Sequence, residues 1–147
     1  MKFESVSDAY MNWREHVLSL GFGNELNTDF VNELSGFVPE DKYYDNIYGE
    51  GHWNFLTVRS LSIGQGELGI TTLQMANLAA TIANRGFYYT PHIIKEIEGG
   101  EIDPRFLERH YTSIDSVHFE AVVDGMEGAV NESGGTAWRA RVNHFTV

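Results

Sequence analysis

The chain contains no cysteine, which excludes disulfides, thiolate metal centres and cysteine nucleophiles. Cations are scarce. Ten Lys and Arg face 21 Asp and Glu, for a formal net charge of −11. Binding a phosphate backbone needs clustered cations, so nucleic acid is not an expected partner, and neither is an anionic membrane surface. No apolar run approaches the roughly 20 residues that a membrane-spanning helix needs. Polar residues follow Met1, Lys2 and Phe3, which does not suit a signal peptide. The expectation is a soluble chain with no export signal, anchor or membrane span of its own. What is present suits a packed fold. The 147 residues are 42% hydrophobic and 13% aromatic, a size that fits one domain or part of a larger one, with too many core formers for disorder.

Apolar periodicity predicts a first helix over residues 8–20, with Ser7 as N-cap and Tyr10, Trp13, Val17 and Leu20 on one face. Residues 22–51 are punctuated by Gly21, Gly23, Gly36, Pro39, Gly49 and Gly51, which predicts long loops with short helical turns. Tyr43, Tyr44, Tyr48 and Trp53 cluster there. Such rings either pin an irregular segment onto a core or stack on sugar rings. Residues 54–63 are apolar and read as a short strand. A helix over Thr72–Ala83 follows, with the T-x-x-Q spacing of a capping box at Thr71 and Gln74. Its residues are apolar nearly all round, which predicts burial on most sides. Gly86 is the expected positive-φ stop. Residues 87–97, broken by Pro91, suit an edge strand, and Val117–Asn131 a last helix. A strand beginning within residues 140–147 closes the reading.

Three constellations invite a chemical reading. Gly64-x-Gly66-x-x-Gly69 matches the glycine pattern of dinucleotide folds, but its helix cap falls after the last glycine and no acid stands about 20 residues on. Ser62 lies beside this loop, yet no G-x-S-x-G is present, and none of Lys2, Lys42 and Lys95 follows a serine by three. Ser62 therefore reads as a capping hydroxyl. The six histidines show no H-x-x-x-H or H-E-x-x-H spacing, so no metal ligand is expected. Asp41 with Asp45, and Glu96 with Glu98, read as solvated surface.

A longer pattern runs through the chain. Ser62-Ile63-Gly64-Gln65-Gly66, then Thr71-Thr72-Leu73-Gln74-Met75-Ala76, resembles the S-I-G-Q-G…T-P-L-Q-M-A segment of class B penicillin-binding proteins, with the elongation type nearest. Ile82-Ala83-Asn84-Arg85-Gly86 and Tyr89-Thr90-Pro91-His92-Ile93-Ile94 continue the match. Upstream, Gly21-Phe22-Gly23 and the stretch from Glu33 to Pro39 resemble the family's G-x-G…E-x-x-G-x-x-P. Downstream, Gly125-Met126 and Gly134-Gly135-Thr136-Ala137 also fit. Thr72 departs from the family's usual proline, a change that an N-terminal helical position tolerates.

The resemblance implies an α+β, mainly helical fragment of a penicillin-binding transpeptidase (β-lactamase-like) domain, lacking most of the central antiparallel sheet. In that family a serine of S-x-x-K attacks a D-alanyl-D-alanine peptide, S-x-N and K-T-G complete the site, and β-lactams acylate the same serine. None of the three motifs occurs here. By the family's order, residues 1–147 lie between S-x-N and K-T-G. No catalytic, cofactor or metal residue is therefore expected, and no cofactor. Ser62, Gly64, Gln65, Gly66, Thr71 and Gln74 become structural motif residues, with Gln65 expected to bridge loop amides and carbonyls. The implied partners are peptidoglycan stem peptides and β-lactams for the intact domain, and the missing parts of that domain. A homodimer through exposed apolar faces is the alternative. The implied place of work is the periplasmic face of the inner membrane. Two other functions stay open at this point. One is a cell-wall glycan module using Tyr43, Tyr44, Tyr48 and Trp53. The other is a nucleotide-binding α/β domain.

Overall fold

The computed structural model describes residues 3–142. Its first helix, α1, spans Val6–Ser19 and is capped by Ser5, whose Oγ accepts the Asp8 N–H at 3.0 Å. The expected cap, Ser7, sits inside the helix. Its hydroxyl donates instead to Asp41 at 2.8 Å and ties α1 to the next helix, α2 (Asp41–Tyr48). Between them runs an irregular segment, part of which folds around one side chain. The Glu33 carboxylate accepts the N–H groups of Leu26 and Thr28 and the Thr28 hydroxyl.

The strand expected over residues 54–63 is not formed. Asn54 accepts the Leu56 N–H at 2.9 Å, and Thr57 Oγ1 accepts the Asn54 N–H at 3.2 Å. This capping box starts a single helical turn, α3 (Phe55–Val58), which tightens into a 3-10 turn over Arg59–Ile63. A strand needs a partner for its ladder, whereas a cap satisfies backbone groups locally. Leu61, 2% exposed, then enters the core from the 3-10 turn.

That core is mostly aromatic. Tyr10, Tyr44, Trp53 and Leu61 are buried together, with Met11, Trp13, Tyr43, Val58 and Leu68 packed around them. The ring centroids of Tyr10, Tyr44 and Trp53 lie 5.3–5.7 Å apart, the Tyr10 ring edge-on to the other two, the spacing that favours aromatic pairs. Burial pushes the Tyr10 hydroxyl up to about 12 and raises that of Tyr44 as well, so both remain neutral donors. Tyr10 donates to the Pro39 carbonyl at 2.8 Å, and Tyr44 to Glu67 at 3.2 Å.

Helix α4 spans Thr72–Ala83, as its periodicity predicts, but it is not buried on most sides. The buried positions are the polar ones: Gln74, Asn77 and Thr81. Met75 is 51% exposed, and Ala76, Ala79, Ala80 and Ala83 share its open side. Gly86 has the expected positive φ, +108°. Only Phe87–Tyr89 of the following segment forms a strand, β1. It pairs antiparallel with β2 (Arg109–Tyr111), and this hairpin is the only sheet among the described residues. Helix α5 (Val117–Asn131) packs on α4 and buries Phe119 and Val130. A 3-10 turn over Trp138–Ala140 follows. Of the strand expected within residues 140–147, Ala140 instead ends that 3-10 turn and residues 141–142 join no ladder, while residues 143–147 lie outside the described residues.

Asp29 closes the structure across a separation of 64 residues. Its carboxylate accepts the N–H of Ile93 at 2.9 Å and that of Ile94 at 3.0 Å. Desolvation works to raise its carboxyl, but the N–H bonds of Ile94 and Ile93 outweigh it and hold the group below its ordinary value. A depressed folded pKa gives stability that is complete above the unfolded value of about 3.9 and is lost as pH falls through the folded value. This tie should therefore outlast ordinary carboxylate contacts on acidification and open only as pH falls through the folded value, below about pH 4. Hydrogen exchange at Ile93 and Ile94 checks it. Unchanged protection through that range contradicts the assignment.

Candidate functional site

The glycine loop leads into α4 along a path set by positive φ at Gly64 (+72°) and Gly66 (+77°). A 3-10 turn precedes it in place of a strand, so the strand–loop–helix context of a dinucleotide site is missing. The first turn of α4 is closed by its own side chains. Thr71 Oγ1 accepts the Gln74 N–H at 3.1 Å, and Gln74 Oε1 accepts the Thr71 N–H at 3.0 Å. Both halves of the expected capping box are made.

Gln74 does more. Its Nε2 donates to the carbonyls of Asn24 at 3.0 Å and Ser35 at 2.8 Å. One amide, 2% exposed, thus stitches α4 to two loop segments 50 and 39 residues away. Beside it, Phe37 and Gly69 exchange backbone hydrogen bonds at 2.6 and 2.9 Å. Gly36 has φ +67°, and a Cβ there would stand 2.4 Å from the Gly69 carbonyl oxygen and 2.7 Å from Gln74 Oε1. Only glycine fits where the two segments cross. The bridging role expected of Gln65 is corrected here. Gln65 is exposed and its side chain makes no hydrogen bond among the described residues, whereas Gln74 carries the bridge. Both are amides of one motif, and only the buried one lacks water as a competing partner.

Ser62 Oγ donates to the Arg59 carbonyl at 2.7 Å, closing its own helical turn. A different serine does meet a histidine, a contact that 97 residues of separation hide from the sequence. His16 Nδ1 lies 2.7 Å from Ser113 Oγ. Ser113 in turn donates to Ser19 Oγ, and Ser19 to the His16 carbonyl. With the Ser113 proton given to Ser19, the matching His16 tautomer carries its proton on Nδ1 and donates to the Ser113 hydroxyl. The loop of bonds joins α1 to the entry of α5. No group of three His, Cys, Asp or Glu among the described residues is placed to hold a metal. Asp41 and Asp45 are not a catalytic pair either, since Asp41 receives Ser7 and Asp45 receives the Trp53 indole N–H at 2.7 Å.

The four loop aromatics divide. Tyr44 is fully buried and Trp53 is 6% exposed, so neither has a free face for a sugar. Tyr43 is half-buried against Tyr44, and Tyr48 is half exposed. The bulk of this set anchors the loop to the core.

Residues 7–147 match the family described as penicillin binding protein transpeptidase domain. The chain is 29% identical to the peptidoglycan D,D-transpeptidase MrdA of Haemophilus influenzae over 136 residues, covering 90% of this chain and 20% of that relative. The corresponding Escherichia coli K12 protein is 27% identical over 121 residues, 80% of this chain and 19% of the relative. The chain thus spans about a fifth of the length of the curated relatives it matches. Among solved structures, it is similar to Pseudomonas aeruginosa PBP2 in complex with WCK 5153, with TM-score 0.69, 25% identity, and coverage of 90% of this chain and 32% of that one. It is also similar to the Helicobacter pylori complex between PBP2 and MreC, with TM-score 0.70, 26% identity, and coverage of 97% and 25%.

Proposed function

Because the chain belongs to the penicillin-binding protein transpeptidase domain family, we propose that it is a helical wall segment of an elongation-type peptidoglycan transpeptidase, inactive alone and completed by the rest of that domain. The orientation of α4 carries this reading. A helix that buries Gln74, Asn77 and Thr81 while opening Met75, Ala76, Ala79, Ala80 and Ala83 to water leaves part of its apolar surface without a partner. Alanines on that side allow another helix to approach closely. Val122 and Met126 of α5 are also open, 45% and 44% exposed. A second open surface is the apolar groove of about 580 Å³ bounded by Phe3, Val6, Trp13, Phe55 and Val58. These are faces for missing parts of one domain. In the completed domain, stem peptides are the substrates and β-lactams the acylating inhibitors, and the work is done at the periplasmic face of the inner membrane.

Fluorescent penicillin is expected to leave no covalent label on the isolated chain, since acylation needs an activated serine that this chain lacks. Co-expression with the flanking parts of a relative's domain, which supply S-x-x-K, S-x-N and K-T-G, is expected to restore labelling. Ala79→Glu should abolish that restoration and leave the chain's own unfolding midpoint in place. A label on the isolated chain, or full complementation by Ala79→Glu, sinks the proposal. A homodimer through the same face is the competing occupant. Sedimentation equilibrium of the isolated chain separates the two: a monomer removes the homodimer, and a dimer that Ala79→Glu dissociates supports it.

A further inference from the structure

The register of the β1–β2 hairpin sets Phe87 opposite Tyr111 and Tyr89 opposite Arg109. Alternation along each strand puts these four side chains on one face and Tyr88 with His110 on the other. Tyr88 and His110 stack at 5.0 Å, and the half-buried Tyr88 reaches toward Gly21 at the end of α1. The first face is open. Tyr111 is 68% exposed and Tyr89 39%.

Arg109 is held across this face. Its guanidinium lies 4.5 Å over the Phe87 ring and 6.0 Å from that of Tyr89, and its Nε donates to Tyr89 Oη at 2.9 Å. No carboxylate pairs with it among the described residues, whereas Arg14, Arg85 and Arg105 each meet one. What sets Arg109 apart from the other cations without a carboxylate is its hold on the face by a ring and a phenol together. The rings and the phenols of Tyr89 and Tyr111 orient the planar fork before any ligand arrives, and of its five N–H groups those not facing the two phenols remain for an oxyanion.

A lone carboxylate would use the cation and leave the exposed rings idle. An apolar side chain would use the rings and leave the cation unmatched. A flat ring with an apolar C–H face and an anionic substituent uses both. We propose that Tyr89, Arg109 and Tyr111 form a binding site for a pyranose sugar that carries a carboxylate, with the sugar face on Tyr111 and the carboxylate on the outer edge of the Arg109 guanidinium. Single-stranded nucleic acid also stacks on such platforms, but it needs a track of cations for its phosphates, and this chain is strongly acidic. The site shares no residue with the open face of α4, so its test does not depend on the transpeptidase reading.

The test is a titration of the full 15N-labelled chain with N-acetylmuramic acid and with N-acetylglucosamine, a matched sugar without the carboxylate. Amide shifts are expected at residues 87–89 and 109–111. The neutral sugar is expected to bind at least about tenfold more weakly, the loss typical of one charge-assisted contact. Arg109→Gln should erase the preference for the acid, and Tyr111→Ala should weaken both sugars. Both side chains are exposed, so unchanged spectra elsewhere certify folding. Equal affinity for the two sugars, shifts confined to other residues, absence of shifts, or a preference that survives Arg109→Gln overturns the proposal. Tighter binding of an oligouridylate at the same salt concentration overturns it in favour of nucleic acid.

Discussion

Trp53→Ala is expected to lower the unfolding free energy by about 3–5 kcal/mol, the range for deleting a large buried aromatic side chain. The indole is 6% exposed and packs on Tyr10 and Tyr44 at centroid distances of 5.7 and 5.3 Å. Its N–H donates to Asp45 at 2.7 Å, so truncation also leaves that carboxylate without its donor. Helix α1, more than 30 residues away, meets α2 and the turn before α3 at this ring. Small domains hold about 5–15 kcal/mol in total, so the variant should lie close to its folding threshold. Trp138→Ala is the matched control. Trp138 is 61% exposed, and its loss should stay within about 0.5 kcal/mol. Urea unfolding followed by circular dichroism measures both. A loss below 1 kcal/mol at Trp53 would mean that the aromatic cluster is not the core of the isolated chain.

The second large effect is expected at Gln74. Gln74→Ala removes the acceptor for the Thr71 N–H and the donor for the Asn24 and Ser35 carbonyls. Buried groups left unsatisfied cost about 1–3 kcal/mol each, discounted where water enters the space, so a total of about 3 kcal/mol is expected. The loss should appear locally as well. Backbone amides of residues 35–37, and the Phe37 bridge to Gly69, should exchange faster, because Gln74 is what holds that segment on α4. Gln65→Ala, the same deletion nine residues earlier on an exposed side chain, is expected to change stability by less than about 0.5 kcal/mol. Equal effects at the two positions would refute the assignment of the bridge to Gln74.

Local features of the chain were readable without coordinates. The capping box of Thr71 and Gln74, the bounds of α4 and α5, the turn at Gly64 and Gly66 and the stop at Gly86 all depend on interactions within a few residues. Residues 54–63 misled because their composition suits a strand while Asn54 and Thr57 supply a helix cap. Without a neighbouring strand to complete a ladder, the local cap prevails. The expected N-cap missed by two residues for a related reason. Ser5 and Ser7 are equally able to cap, and it is Asp41, 34 residues on, that engages Ser7 in another task.

The choice of candidate site residues shows the same division. Tyr43, Tyr44, Tyr48 and Trp53 are adjacent in sequence, and either core or ligand contact explains such a cluster. Burial assigns Tyr44 and Trp53 to the core. The exposed aromatic face lies on the hairpin, where strand pairing brings Tyr89 to Arg109 and Tyr111 to Phe87 across about twenty residues. The contact of His16 with Ser113 was equally hidden, because neither residue belongs to a spaced motif.

By itself the sequence determined the family, the absence of its three catalytic motifs from this chain, and the helices whose ends carry their own caps. Tertiary structure alone decided which side of α4 is buried, which glutamine forms the bridge and which aromatic rings stay free. The physical reason is range. Caps, glycine turns and hydrophobic period are settled by neighbours along the chain, whereas burial is settled by whatever arrives from elsewhere. For α4, what arrives from this chain is polar backbone from the loops at Leu20, Asn24 and Ser35, and it selects the polar side of an otherwise apolar helix.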